Sequence, residues 1–415
     1  MLKRFPTALA GSAGLFLFCP PAGAQSPSTS DQTASTEQSA AESKADPGTA
    51  DPATAAPGQA TDQPPVVRKV RNYIQKNPIV QQLQGDGFYP RIGGLSQGSG
   101  FAGGAGYRRH LDWAYVDVSG AVSTKAYRGI DATLGWVDTR YLDVSTKLTF
   151  RNNTQDDFYG LGMDSTDATR VDYGIRSTDL STGAAVHVTP WLRLGADVGY
   201  LVPSVRHGRD DNLRTIETIF TDATAPGLAQ QPDFVHDSVF AEADSRDAHG
   251  FPRRGGFYRA AYALWNDRTL EQFNFRRFDA IGSHFFSVAP NDVVALRLAL
   301  SYANNAPGDR VPFYMLPYVG GGDTIRSFRE FRFRDENAGV FNAEFRHKVH
   351  SMAHVAGFVD FGKVARDWQD IDPHHVKHAY GIGLRGGTDD KTYVRFDVAH
   401  GDGGTRVFLK FTPAF

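Results

Sequence analysis

The sequence predicts an all-β protein: a 16-stranded antiparallel transmembrane β-barrel with a long inward-folded loop between strands 11 and 12. Three observations predict it. From residue 88 onward, apolar and polar residues alternate in sixteen runs. A period of two marks a strand with different surroundings on its two faces. Connections after even-numbered runs are mostly short, as at 110–112, 138–140, 189–190 and 289–291, whereas several after odd-numbered runs are long, at 153–170, 203–232, 304–338 and 364–377. Short periplasmic turns and long outside loops are the pattern of outer-membrane barrels. Finally, the last run places Val407, Leu409, Phe411 and Phe415 on one parity against Arg406, Lys410 and Thr412. An aromatic ending of this kind, Phe411 and Phe415 here, resembles the signal that marks barrels for outer-membrane insertion.

Composition agrees. At 415 residues the chain has room for two or three soluble domains, but it shows neither helical heptads nor alternating β and α patterns. Its mean hydropathy is negative, which a barrel tolerates because only every second residue faces lipid. A formal charge of −2 does not point to nucleic acid. The single cysteine, Cys19, falls in the leader, so the mature chain has no thiol for disulfides, metal binding or catalysis.

Residues 1–24 read as a signal peptide: Lys3 and Arg4, an apolar run from Leu9 to Phe18, and a small-residue cleavage site at Ala22-Gly23-Ala24. Residues 25–65, rich in Ser, Thr, Ala and Pro, lack the apolar residues to bury a core and are expected to be a disordered periplasmic linker. A short basic segment, 66–87, can form one helix before Pro78; it reads as a linker end or, alternatively, a plug or periplasmic cap. The barrel then occupies 88–415, with strands expected near 88–95, 99–110, 113–123, 129–138, 141–152, 171–188, 191–202, 233–246, 256–267, 273–287, 292–303, 339–348, 353–363, 378–386, 392–400 and 405–415. The even count puts both termini in the periplasm and the 304–338 loop on the outside.

That loop is the richest stretch. Three glycines, Gly320, Gly321 and Gly322, permit close backbone approach and positive φ. Arg326, Ser327 and Phe328 follow, and then two alternating strands put Glu344 on the same side as Phe358, Asp360 and Gly362. Two carboxylates facing one interior need a cation, and the planar fork of Arg326 suits them.

Gly320-Gly321 with Ile325-Arg326-Ser327-Phe328, then Ala343-Glu344-Phe345-Arg346, then Gly357-Phe358-Val359-Asp360-Phe361-Gly362, resembles the carboxy-terminal half of the BamA/TamA (bacterial surface antigen) superfamily. The resemblance extends more weakly over 85–415 and implies a short member without recognisable periplasmic modules. It implies that Arg326 reaches back into the lumen and pairs with Asp360, with Glu344 as second partner, and that Asp244, Arg246, Pro252 and Gly255 form the family's strand 8–9 element; read alone, that stretch is a polar strand end with a Pro-Gly turn. Ser327 stands where the family carries glycine; a positive φ there would strain a serine. The resemblance further implies insertion or translocation of proteins, or lipids, through a lumen and a lateral seam between first and last strands. Pro90, Gly93 and Gly94 make the first strand a weakly pairing edge. The alternatives are a passive porin or solute channel, or the barrel partner of a separate periplasmic protein. Implied partners are outer-membrane lipid, an unfolded outer-membrane or secreted protein, and the assembly machinery that inserts the barrel itself; no nucleic acid is implied, and a monomer is.

No enzyme, cofactor or metal is expected. Gly94-Leu95-Ser96-Gln97-Gly98 matches the nucleophile elbow in letters but lacks the helix that must follow. His347, His350 and His354, and separately His374, His375 and His378, read as turn and rim residues, since no acidic or thiol ligand completes a set. Asp156-Asp157 and Asp210-Asp211 read as solvated loop charges.

Overall fold

The computed structural model describes residues 86–388, 391–411 and 413. The expected leader, linker and basic segment up to residue 85, and the terminal Phe415, lie outside the described residues.

Sixteen barrel strands follow one another. The first eight are β1 (Gly87–Gly93), β2 (Ala102–His110), β3 (Tyr115–Ser123), β4 (Arg128–Asp138), β5 (Leu142–Phe158), β6 (Val171–Thr189), β7 (Leu192–His207) and β8 (Phe234–Asp244). The second eight are β9 (Gly255–Asp267), β10 (Phe275–Ala289), β11 (Asp292–Asn305), β12 (Asn337–His350), β13 (Ala353–Ala365), β14 (Lys377–Gly387), β15 (Thr392–Gly401) and β16 (Arg406–Lys410). Each pairs antiparallel with its successor. Among the described residues no ladder joins β1 to β16, so the barrel is nearly closed, with an unsealed seam. β1 pairs with β2 over seven residues, and β16 with β15 over only five.

Alternation sorts the faces. On β13, Val355, Val359 and Phe361 point outward and are exposed, while His354, Ala356, Phe358 and Asp360 point inward and are buried. The outer band is apolar, as lipid requires. Trp113, Trp136, Tyr141 and Trp191 are exposed beside the short turns, where an interfacial aromatic girdle belongs.

Two expectations about length need correction. β5, β6 and β7 run to 17, 19 and 16 residues, so 153–158 and 203–207 are strand rather than loop. A tilted strand crosses the bilayer in about 9–11 residues, so these three overshoot it. Above the lipid their outer face no longer has to be apolar, and the sequence alternation fades although the pairing continues. The long connections pack onto this extension: Phe158, Tyr173, Leu201, Phe234, Phe313 and Tyr314 belong to one buried cluster. The connection after β11 spans 306–336, and its Tyr318, Val319, Ile325, Phe328, Phe331 and Phe333 form a second buried cluster inside the barrel.

A buried ion network beside the seam

The loop tip descends because glycines let it. Gly320 and Gly321 have φ of +120° and +104°, a region closed to most side chains. Gly322 is needed for closeness instead: a Cβ there would sit 2.6 Å from Lys410 Cε and 3.0 Å from Phe408 Cδ1. Thr324 Oγ1 accepts from the Gly320 amide at 2.8 Å and closes the turn.

Arg326 then reaches the wall of β12–β15. Its Nε and Nη2 donate to the two oxygens of Asp360 at 2.8 and 2.7 Å, and its backbone amide adds a third bond at 3.1 Å. Nη1 reaches Glu344 at 3.3 Å and Asp397 at 3.4 Å. The guanidinium lies 3.3 Å above the Phe358 ring, adding a cation–π contact. Burial would weaken the charge of Arg326, but Asp360, Glu344 and Asp397 outweigh it and hold the guanidinium protonated more firmly than usual. Gly362 makes room: a Cβ there would meet Ile325 and Val319 at 2.9 Å. Phe328 is buried, edge-on to Phe333.

Sequence reasoning placed Glu344 as a second partner of Arg326. In the structure Glu344 is bound more closely by Arg346 and Arg385, each at 2.7 Å. Arg385 also pairs with Asp397, which receives Arg395 at 3.3 Å. Four guanidinium groups (Arg326, Arg346, Arg385, Arg395) thus face four carboxylates (Asp323, Glu344, Asp360, Asp397), all buried. Asn342 lies opposite Asp360 in the ladder and donates to it at 2.8 Å. Arg346, Arg385, Arg395, Asn342 and Asp397 were missed, although their inward parity between lipid-facing Phe345, Leu384, Val394 and Phe396 was available as a signal.

Asp323 is the hub nearest the seam. It accepts from Arg395 on β15 at 2.7 Å, from Lys410 on β16 at 3.1 Å, and from Gln97 in the β1–β2 connection at 3.1 Å. One loop carboxylate therefore touches both sides of a seam that, among the described residues, no backbone ladder closes. Lys410 also reaches Glu330 at 3.1 Å. Burial would raise the Asp323 carboxyl, but Lys410 and Arg395 outweigh it and hold it well below the usual carboxylate range; burial pushes the Glu330 carboxyl up.

Ser327 does not occupy a left-handed conformation. Its hydroxyl donates to the His378 carbonyl at 3.2 Å and its own carbonyl accepts from Arg406 Nε at 3.1 Å, so serine there costs no backbone strain. In the β8–β9 connection, Arg246 binds Asp244 through two bonds of 2.9 and 2.6 Å, and Gly255 has φ +83° and a position where a Cβ would collide with the Ser245 carbonyl oxygen. Pro252 is buried; its neighbour Phe251 stacks on His354 of β13 at 4.1 Å, and Gly250 O accepts from Thr392 of β15. That connection lies across the short-turn mouth of the lumen. Phe411, just past β16, touches the β1 end at Gly93 and stacks edge-on with Phe101.

The remaining candidates disperse. Ser96 donates to Asn153 Oδ1 at 3.2 Å, and among the described residues it has no hydrogen bond to a histidine. His347 pairs with Asp292, His374 with Asp372 and His378 with Asp402. Among the described residues no group of three His, Cys, Asp or Glu could hold a metal ion. Asp156 corrects the reading of solvated charge: it is buried, bonded to Tyr127 and Asn153, because β5 continues past the membrane.

Three comparisons bear on this geometry. The family profile for the Omp85 superfamily domain matches residues 115–400. Comparison with curated protein sequences finds no match. Among solved structures, BamA from Haemophilus ducreyi lacking POTRA domains 1–3 is similar, with 14% identity, a TM-score of 0.61, and coverage of 78% of this chain and 69% of that one. CdiB from Escherichia coli gives 14% identity and a TM-score of 0.49, covering 78% and 61%. CdiB from Acinetobacter baumannii gives 12% and 0.45, covering 78% and 56%.

Proposed function

Because the chain belongs to the Omp85 superfamily, we propose that this outer-membrane barrel inserts or translocates proteins, or lipids, by parting the seam between β1 and β16. The observation that carries the reading is the seam itself. No ladder closes it among the described residues, and what spans it is a side-chain contact, Gln97–Asp323–Lys410, together with Phe101 against Phe411. Parting such a seam breaks a few side-chain bonds, whereas unzipping a full strand pair would expose a row of backbone groups to lipid.

The loop tip held by Arg326 acts, on this reading, as a fixed post from which Asp323 holds the two edges near each other. The residues that do this are Arg326, Phe328, Glu344, Phe358, Asp360 and Gly362, with Gly320, Gly321 and Gly322 at the turn. The Asp244–Gly255 element steadies the opposite mouth. The short turns with their tryptophans would face the periplasm, and with an even strand number both termini would too. Its partners would be lipid beside the seam and an unfolded outer-membrane or secreted chain, with the barrel working as a monomer. A passive porin fits less well, since the second buried cluster and the ion network occupy the lumen and the first packs at its long-connection end.

A disulfide tests the seam. Gly93, built with a Cβ, would place it 3.8 Å from Phe411 Cβ, within the usual range of about 3.5–4.5 Å for a disulfide. Gly93→Cys with Phe411→Cys, oxidised, is expected to lose the ability to promote insertion of a second barrel protein into liposomes, and to regain it on reduction. The reduced pair also controls for strain at Gly93, whose φ is +143°. An oxidised pair as active as the reduced one would sink the proposal.

A further inference from the structure

A cavity of about 370 Å³ lies at the long-connection end of the lumen, against the seam. Thr405, Arg406, Val407 and Phe408 bring one wall from the β16 side, while Gly98, Lys125, Tyr127 and Gln155 to Asp157 bring the other from the first five strands. Arg329, Glu330 and Phe331 of the loop form its floor, and Phe331 holds φ +60°, uncommon for an aromatic residue.

The charges around this space do not cancel. Its three carboxylates are already occupied. Asp156 accepts from Tyr127 at 2.8 Å and Asn153 at 2.9 Å; Asp157 accepts twice from Arg170 at 3.0 Å; Glu330 accepts from Lys410 at 3.1 Å and from the Gly322 amide at 3.2 Å. Among the described residues, Lys125, Arg329 and Arg406 have no carboxylate in ion-pair range. Arg406 Nε donates to the Ser327 carbonyl at 3.1 Å, which fixes the guanidinium and leaves its Nη groups as donors. Four basic side chains, Lys125, Arg170, Arg329 and Arg406, line the same space against those three carboxylates.

We propose that this cavity binds a phosphate monoester group, held by Arg406, Arg329 and Lys125. Guanidinium forks match phosphate oxygens in pairs, and a lysine adds a compact charge. The volume accommodates a phosphorylated sugar or headgroup but not a pair of acyl chains. Its place beside the seam gives two routes of entry. A soluble phosphosugar enters from the long-loop mouth; a lipid headgroup enters through the seam with its chains left in the membrane. The proposal rests on the membrane placement of the seam given above, but its test reads binding and not insertion, so the two can fail separately.

The test uses the full chain, refolded in zwitterionic detergent. Isothermal titration compares glucose 6-phosphate with glucose, and native mass spectrometry compares retention of phosphatidic acid with phosphatidylcholine. Each is repeated on Lys125→Gln/Arg329→Gln, both exposed positions, and on the triple variant with Arg406→Gln. Preference for glucose 6-phosphate that weakens about tenfold or more in the double variant, a loss of about 1.4 kcal/mol, supports a soluble source. Preference for phosphatidic acid alone, lost in the same variants, supports a lipid source. If neither phosphate probe is preferred, or the double variant binds as tightly as the parent, the proposal is overturned.

Discussion

Arg326 shows how one side chain organises many. It bonds Asp360 through both carboxylate oxygens, reaches Glu344 and Asp397, and covers Phe358. A buried network of this kind is weak evidence for net stability, because desolvation offsets much of the attraction, but removing one member strands the rest. Arg326→Ala is therefore expected to cost about 3–5 kcal/mol, by the general behaviour of broken buried pairs. Urea unfolding followed by heat-modifiable gel mobility would measure it. Asp360→Ala should cost a similar amount, and the double variant less than the sum by about 0.5–3 kcal/mol. Strict additivity would mean that the two side chains do not share a contact. Arg326→Lys should rescue little, since an ammonium cannot bond both oxygens of Asp360 in one plane.

At the scale of an element, β13 carries two glycines with opposite duties. Gly362 faces inward under Ile325 and Val319, where a Cβ meets atoms at 2.9 Å; Gly357 faces outward with nothing within 4 Å. Gly362→Val should displace the loop and cost about 1–3 kcal/mol, the usual range for overpacking. Gly357→Val should be near neutral in the same unfolding measurement. Equal effects would show that strand propensity, and not loop docking, is what these positions feel. The loop has its own division of labour: two glycines supply backbone conformation and the third supplies proximity to β16, while Ser327 supplies a hydrogen bond.

For the whole molecule, the consequence is a barrel filled from within and fastened at its seam by charge. Single-channel currents through the parent protein in a planar bilayer should be small and flickering, and Arg326→Ala should make them large and steady. A large, stable parent pore that the variant leaves unchanged would restore the porin reading. Acid should act in the same direction. The Asp323 carboxyl is held below its ordinary value of 3.8 by Lys410 and Arg395 against the opposing effect of burial. Its stabilising contribution is thus fully present above about pH 4 and is lost as pH falls through the depressed value. Glu330, raised by burial, takes its proton earlier and with the opposite sign, because neutralising it relieves a desolvation cost. Current should stay low as pH drops toward about 4 and rise only below it; a rise between neutral pH and 5 would mean that Asp323 is not the fastening group.

The sequence by itself determined the sixteen strands, the face each residue presents, and which connections are short and which long. These follow from period-two alternation and the spacing between runs, both local. Local pattern weakened where lipid stopped imposing it: β5 and β7 continue beyond their apolar stretches, and Asp156, a charge beside a charge, turned out to be interior. Only the tertiary structure decided which distant residues share the lumen. Asp397 and Arg385 join Arg326, and Asp323 meets Gln97 from 226 positions away. The physical reason is closure. Which inward side chains meet across a barrel depends on its circumference and on the register of every intervening strand pair, a sum that no single stretch of sequence contains.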